Sequence, residues 1–247
     1  MRSPPLAVHS VPRPKNKLLR ELPQADFERL GPHLKTIPTK AKQVFYKQGE
    51  PFGSVYFPNG GVLSITSGLA DGTMVETATV GNEGMVGIEA LFSPDPISPG
   101  TTMMQVPDTD AERLSVGAFR EELARGEAFS AIMGRYAQSA IKQMMQSAAC
   151  NARHHVTERC PRWLLMTHDR VDGDSFHLSQ EFLAMMLGVR RQTVSVVANT
   201  LQQAGLITYR HGYVTVLDRA GLEAASCECY AAIRTHADAL RGTVTVR

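Results

Sequence analysis

The residues Leu178-Ser-Gln-Glu-Phe-Leu-Ala-Met-Met-Leu-Gly-Val-Arg-Arg-Gln-Thr-Val-Ser-Val-Val-Ala-Asn-Thr-Leu-Gln-Gln-Ala-Gly-Leu-Ile207 carry more local structural information than any other part of the chain. Ser179 is a good N-cap, Glu181 falls in the first turn, and Leu178 and Leu183 have the spacing of a hydrophobic staple. Gly188 ends that helix. A second helix begins near Arg190, and Gly205 stands where a left-handed residue would close it. Beyond it, Ile207–Arg210 and Tyr213–Leu217 flank His211-Gly212, the length of a tight two-residue hairpin. Thr157–Asp169 reads as a preceding helix that turns Trp163, Leu164 and Leu165 to a core. Helix, helix, short Gly-containing turn, helix and hairpin predict a winged helix-turn-helix.

On a helical wheel, Val194, Val197, Ala198 and Leu201 fall on one face of the second helix, and Gln192, Ser195, Val196 and Asn199 on the other. The first face supplies a core. The second has no carboxylate, which suits insertion between phosphates with donors and acceptors turned to base edges. Arg191 and Gln192 are placed to meet guanine and adenine edges, and Val196 to meet a thymine methyl. Thr193 and the helix N-terminus are candidate phosphate contacts. Ser179, Arg190, and Arg210 with His211 on the wing complete the candidate DNA-binding set.

Upstream the pattern changes twice. Asn16–Pro23 and Ala25–Leu30 read as short amphipathic helical turns. From Lys42 to Val106, short runs (Val44–Tyr46, Val55–Phe57, Val62–Thr66, Met74–Val80, Thr102–Val106) alternate with Gly-rich turns, which indicates a small antiparallel roll or barrel. Then Phe129, Ile132/Met133, Tyr136, Ala140, Met144 and Ala148 recur every three to four residues, as on one long helix. Such a stripe either packs on its own domain or pairs with its twin in a dimer.

The 247 residues carry 26 basic and 24 acidic side chains, a near balance that hides an asymmetry. No Lys, Arg or His lies between Lys47 and Arg113, whereas no acid lies between Glu181 and Asp218. One region repels anions and the other tolerates them. No apolar run is long enough to span a bilayer, and the Pro-rich residues 1–16 read as a disordered tail without the apolar segment of a secretory signal. All four cysteines, Cys150, Cys160, Cys227 and Cys229, lie in the C-terminal half. They do not form an extracellular disulfide pattern, so a reducing cytoplasm is expected. Cys227-x-Cys229 and His154-His155 have metal-ligand character but lie far apart in sequence; surface or helix-packing roles are expected, with no metal or cofactor. No nucleophile–base pair or catalytic metal cluster is legible, so an enzyme is not expected.

The Leu178–Ile207 stretch resembles the DNA-binding domain of the Crp/Fnr family. The roll followed by a long helix is similar to that family's sensor domain and dimerisation helix. The resemblance implies an α+β chain: an N-terminal antiparallel β-roll of cyclic-nucleotide-binding type, a long dimerisation helix, and a C-terminal winged helix-turn-helix. It implies a homodimeric transcription regulator bound to a palindromic operator, with Phe129, Met133, Tyr136, Ala140, Met144 and Ala148 at the dimer contact. The family's base-reading Arg-Glu-Thr-Val appears here as Arg191-Gln192-Thr193-Val194. Gln192 replaces the acid and Val196 stands where some members place a second arginine, so the operator sequence does not carry over.

The expected divisions are 1–16 tail, 17–118 roll, 119–152 dimerisation helix, 153–220 winged domain and 221–247 helical extension. A signal at the roll is expected to act through a hinge near Asn151–Thr157. The family's phosphate cassette corresponds here to Gly87-Ile-Glu-Ala-Leu-Phe92, with the glutamate displaced by one position. Ser98-Pro-Gly-Thr101 stands where the family's arginine belongs. Glu83, Gly84, Gly87 and Glu89 are the candidate effector-pocket residues, and the effector is expected to be something other than a cyclic nucleotide, or none. An iron–sulfur cluster of Fnr type lacks thiols near the roll. Expected partners are double-stranded DNA, a second copy of the chain, RNA polymerase and an unidentified small-molecule effector, with no membrane. Two alternatives stay open: a cyclic-nucleotide-responsive regulator, and a signalling module whose winged helix binds protein.

Overall fold

The computed structural model describes residues 13–107 and 109–239. Most of the expected tail, residues 1–12, lies outside the described residues. Arg13–Asn16 instead belong to the fold. Asn16 is fully buried; its side chain caps α1 (Lys17–Arg20) by accepting from Leu18 N at 3.1 Å, and donates to the carbonyls of Pro58 and Gly84 at 2.8 Å each. After α2 (Gln24–Leu30) come seven strands: β1 (Lys35–Pro38), β2 (Val44–Tyr46), β3 (Ser54–Pro58), β4 (Val62–Gly68), β5 (Met74–Val80), β6 (Thr101–Val106) and β7 (Asp110–Ser115). They form two antiparallel sheets of order β1-β7-β3 and β2-β6-β4-β5. The roll is therefore present, with β1 and β7 added to the five expected runs. β7 breaks the usual apolar alternation because buried Glu112 is satisfied locally, accepting from Thr36 Oγ1 at 2.9 Å and Asn59 Nδ2 at 3.0 Å.

Helices α3 (Val116–Ala124) and α4 (Ala128–Arg153) close one side of the roll. Leu19, Phe27, Phe57, Phe119, Phe129 and Met133 share one core there. The 26-residue α4 stops at His154, whose extended ψ of 144° breaks the helix before α5 (Val156–His168). Then follow β8 (Ser175–His177), α6 (Gln180–Leu187), α7 (Arg191–Gln203), β9 (Ile207–Arg210), β10 (Tyr213–Val216), α8 (Arg219–Ala225) and α9 (Cys229–Ala239). The expected limits at 118 and 220 fall inside α3, which packs on β7, and α8, which packs on α5. Strand β8 adds a third member to the wing, pairing Phe176 with Val214.

The C-terminal head docks on the roll. Strand β5, the edge of its sheet, is packed against α4 and α6. Val62 and Val106 join the head's core around Trp163, Leu164 and Leu183. Two polar side chains of the head fix the joint. Trp163 Nε1 donates to Glu76 Oε1 at 2.9 Å, and Arg170 Nη2 meets Glu83 Oε1 at 2.6 Å while its Nη1 donates to Thr79 Oγ1 at 2.7 Å. Gly81 makes room for this arginine: a Cβ there would lie 2.6 Å from the Arg170 stem.

Burial pushes the Glu76 carboxyl from 4.5 up to about 7, against hydrogen bonds from Ser64 and Trp163 and the charges of Arg162 and Arg170. The folded chain therefore holds a proton that the unfolded chain has released between pH 4.5 and 7. That stabilising contribution is complete below pH 4.5 and is lost as pH rises to about 7. Glu76→Gln should flatten this part of the stability profile. Above pH 7 it should be more stable than the native chain by on the order of 2–3 kcal/mol, as read by urea unfolding across pH.

Candidate functional site

The head presents α7 across α6. Ser179 caps α6 by accepting from Phe182 N at 3.2 Å, and Gly188 takes the left-handed conformation at φ 63° that turns the chain into α7. Val194, Val197, Ala198 and Leu201 are buried as the wheel predicts. The outward face carries Arg191, Gln192, Val196 and Asn199, all exposed, with Val196 at 66%. Arg190 is the N-cap position and Thr193 is half-buried. The wing turn places His211 (φ 52°) and Gly212 (φ 78°) both left-handed, the conformation of a type I′ hairpin, and keeps Arg210 and His211 exposed. Tyr209 Oη ties the wing back to Leu178 O at 2.6 Å.

Two of these side chains are already engaged. Ser195 Oγ donates to Gln180 Oε1 at 2.7 Å, so it braces α7 on α6 rather than standing free. Arg191 pairs with Glu181 at 2.9 Å, a contact the acid-free interval after Glu181 does not reveal. Both partners are about 60% exposed, so the pair is weak and Arg191 is easily released.

The long-helix stripe faces inward. Phe129, Met133 and Tyr136 are buried in the chain's own core, which makes them unavailable to a second copy. Gly84 explains the Tyr136 packing: a Cβ there would lie 2.6 Å from the ring, whose Oη donates to Met85 O at 2.7 Å. Ala140 and Met144 border a cavity, and of the six candidate dimer residues Ala148 alone is well away from it on the exposed side. The exposed side of α4 instead carries Ala131, Gly134, Gln138, Ile141, Met145 and Ala148 at alternating spacings of three and four. Ile141 is 49% and Met145 68% exposed.

The cavity has a volume of about 470 Å³ and lies between the four-stranded sheet, α4, α5 and α9. Glu83, Gly87 and Glu89 line it, whereas Gly84 does not, being taken up by Tyr136. Gly87 is left-handed at φ 90° and starts a short 3-10 helix over Ile88–Leu91, so the cassette segment is neither a strand nor alternating. Ser98, Pro99 and Gly100 reach the cavity without a cation. The cations that do reach it, Lys17, Arg170 and Arg234, come from outside the roll's strands, which is why an interval of sequence without basic residues misjudges the field. Arg170 neutralises Glu83: burial pushes that carboxyl up, but the guanidinium's charge and hydrogen bonds bring it below its ordinary value. Burial raises Glu89.

Of the surface or helix-packing roles expected for the Cys227-x-Cys229 pair, the structure places both thiols in the second, between α9 and α4. All four are buried and unbridged. Cys160 sits in the head core, where burial pushes its thiol up to about 12 and leaves it inert. The other three meet one another and His154. No helix among the described residues is long and apolar enough to cross a membrane.

Residues 158–225 match the family model of the Crp-like helix-turn-helix domain. A CRP-family transcriptional regulator from Thermus thermophilus is similar over 78% of this chain and 96% of its own, at 24% identity and a TM-score of 0.62. FixK2 from Bradyrhizobium japonicum is similar over 78% and 98%, at 16% identity and a TM-score of 0.67. The c-di-GMP-responsive global regulator CLP of Xanthomonas campestris is similar over 78% and 99%, at 20% identity and a TM-score of 0.61. A comparison with curated proteins finds no match. Residues 158–225 thus match the Crp-like helix-turn-helix domain, and the chain shares the fold of solved Crp/Fnr transcriptional regulators.

Proposed function

We propose that the chain is a transcription regulator of Crp/Fnr type that binds a palindromic operator as a homodimer. The observation that carries this reading is the outer face of α7: exposed, free of carboxylates, and held rigidly by α6 and the wing. Arg191 and Gln192 lie at the helix end that enters a major groove first, with Val196 one turn behind. Arg210 and His211 extend the contact to the flanking backbone. Leaving Glu181 for a guanine costs Arg191 little, because the ion pair is solvated.

Two heads must be spaced one helical turn of DNA apart, about 34 Å, and α4 is the element that spaces them. Its exposed Ala131, Gly134, Gln138, Ile141, Met145 and Ala148 follow a heptad seam, and Gly134 and the alanines permit close approach of a twin helix. The cavity is the proposed effector site, since an occupant would touch the roll at Glu89, α4 at Gln143 and the head at Met166 at once. Differential contact of that kind is what lets a ligand bias head orientation across the break at His154–His155. Apolar walls at Val86, Ile88, Ala140 and Met144, with no arginine from the Ser98–Gly100 loop, favour a weakly polar molecule over a cyclic nucleotide.

Sites selected from random duplexes should be palindromic, and their affinity should fall steeply as salt rises; a flat salt response would instead assign the head to a protein partner. Arg191→Ala should cost about 1–3 kcal/mol at one base pair of each half-site, whereas a uniform loss over all sequences would make it a phosphate contact. Ile141→Glu with Met145→Glu should yield a folded monomer in sedimentation, while a dimer that survives would place the interface elsewhere. In the native chain, the fluorescent apolar probe ANS should bind at the cavity, with most of that binding lost in Ala140→Trp. Competition by cyclic AMP would overturn the assignment of effector class.

A further inference from the structure

The end of α4 and the start of α9 bring together four ligand-bearing side chains that the sequence separates. Cys150 lies in the last turn of α4, and His154 follows one turn later as its C-cap. Cys227 and Cys229 come from the turn that opens α9. Cys150 Sγ and Cys227 Sγ are 3.5 Å apart, Cys229 Sγ and His154 Nδ1 are 3.6 Å apart, and all four ligand atoms lie within 4.8 Å of one another. A tetrahedral cation with thiolates at about 2.3 Å and an imidazole nitrogen at about 2.0–2.1 Å needs edges of about 3.8 Å and about 3.6 Å. The pocket is close to that shape already.

Its surroundings are those of a metal ligand set. His154 Nε2 faces Glu228 Oε2 at 3.2 Å, the carboxylate–imidazole pairing that turns the other ring nitrogen to a metal. Gln146 Nε2 donates to Cys229 Sγ at 3.0 Å. Three thiolates and one divalent cation would leave one negative charge. Arg159 and Arg162 on α5 make no salt bridge among the described residues, and Arg159 Nη1 reaches back to Asn151 Oδ1, beside Cys150, at 2.9 Å. An open depression bordered by Arg153, Glu158 and Glu228 gives entry from solvent. The other ligand-like cluster, Asp26 with Glu122 and Glu127, differs in kind: the Arg29 guanidinium fills it at 2.8, 2.5 and 2.9 Å.

We propose that Cys150, His154, Cys227 and Cys229 bind one zinc-class divalent cation in a closed Cys3His site that clamps α9 to the α4–α5 junction. Soft thiolates with one imidazole select such a cation over calcium or magnesium, which take oxygen ligands. An iron–sulfur cluster would interpose iron and sulfide and force the ligand atoms further apart than they stand. Loading releases three thiol protons to solvent and forms three metal–sulfur bonds and one metal–nitrogen bond, with no change of oxidation state. The clamp fixes the helix whose Tyr230 and Ile233 line the cavity. The proposal does not depend on what α7 binds.

Cobalt(II) titrated into the full chain, purified under reductant and stripped with a chelator, tests it. One cobalt per chain is expected, with thiolate-to-cobalt charge transfer and the strong visible bands of a tetrahedral site, displaced by added zinc. Cys160→Ser should keep the full signal. The double variant Cys227→Ser with Cys229→Ser should lose stoichiometric binding, and Glu228→Gln should weaken it about tenfold. Absence of the charge-transfer band in the native chain overturns the proposal even if the double variant fails to fold. So does equal binding by native and double variant, or a metal-free chain in which Cys150 and Cys227 are disulfide-bonded despite reductant.

Discussion

A 26-residue helix cannot turn all of its apolar side chains to one partner, and α4 distributes them among several. Its N-terminal half inserts Phe129, Ile132, Met133 and Tyr136 into the roll, with Gly84 cut back to admit the tyrosine ring. Its middle divides: Ala140 and Met144 face the cavity, and Ile141 and Met145 face solvent. Its last turn delivers Cys150 and His154 to α9. The exposed apolar line, the cavity wall and the thiol cluster are therefore three faces of one helix, and their relative positions are fixed by the helical repeat of about 3.6 residues per turn. Displacing the helix disturbs all three.

Much of the head is legible in sequence because its signals are local. Ser179, Gly188 and Gly205 mark helix ends by conformational preference alone, and His211-Gly212 specifies the hairpin turn through residues that tolerate positive φ. The roll is legible where strands alternate with Gly-rich turns, and illegible at β1 and β7, whose polar residues find hydrogen-bond partners on neighbouring strands. The apolar stripe on α4 is plainly periodic, but periodicity does not say what lies opposite. Burial in the roll claims the most hydrophobic line and leaves the smaller, mixed line Ala131–Ala148 outside.

The charge asymmetry illustrates a different limit. Counted along the chain, residues 48–112 have no cation to hold an anion; in space, Arg170 of the head enters the roll, supplying the charge that Glu83 lacks locally. A buried ion pair contributes little net stability against well-packed apolar groups, yet removing one member leaves a charge stranded. The Arg170–Glu83 pair therefore says more about register than about strength. It permits one seating of head on roll, and Gly81 clears the space that seating requires.

Helix α9 connects the two features that the Crp-like pattern does not itself explain. Its first residue, Cys229, belongs to the thiol–imidazole cluster, and Tyr230 and Ile233 on the same stretch of helix close the cavity. Tyr230 Oη also bridges Asp169 at 2.9 Å and Arg219, so the same residue is tied to the end of α5 and the start of α8. Any change at the cluster that shifts α9 by a fraction of a turn must move a cavity wall and strain that bridge, because packed side chains rearrange between discrete fits rather than deforming smoothly. The C-terminal helix is thus mechanically in series with the break at His154–His155, between α4 and the head.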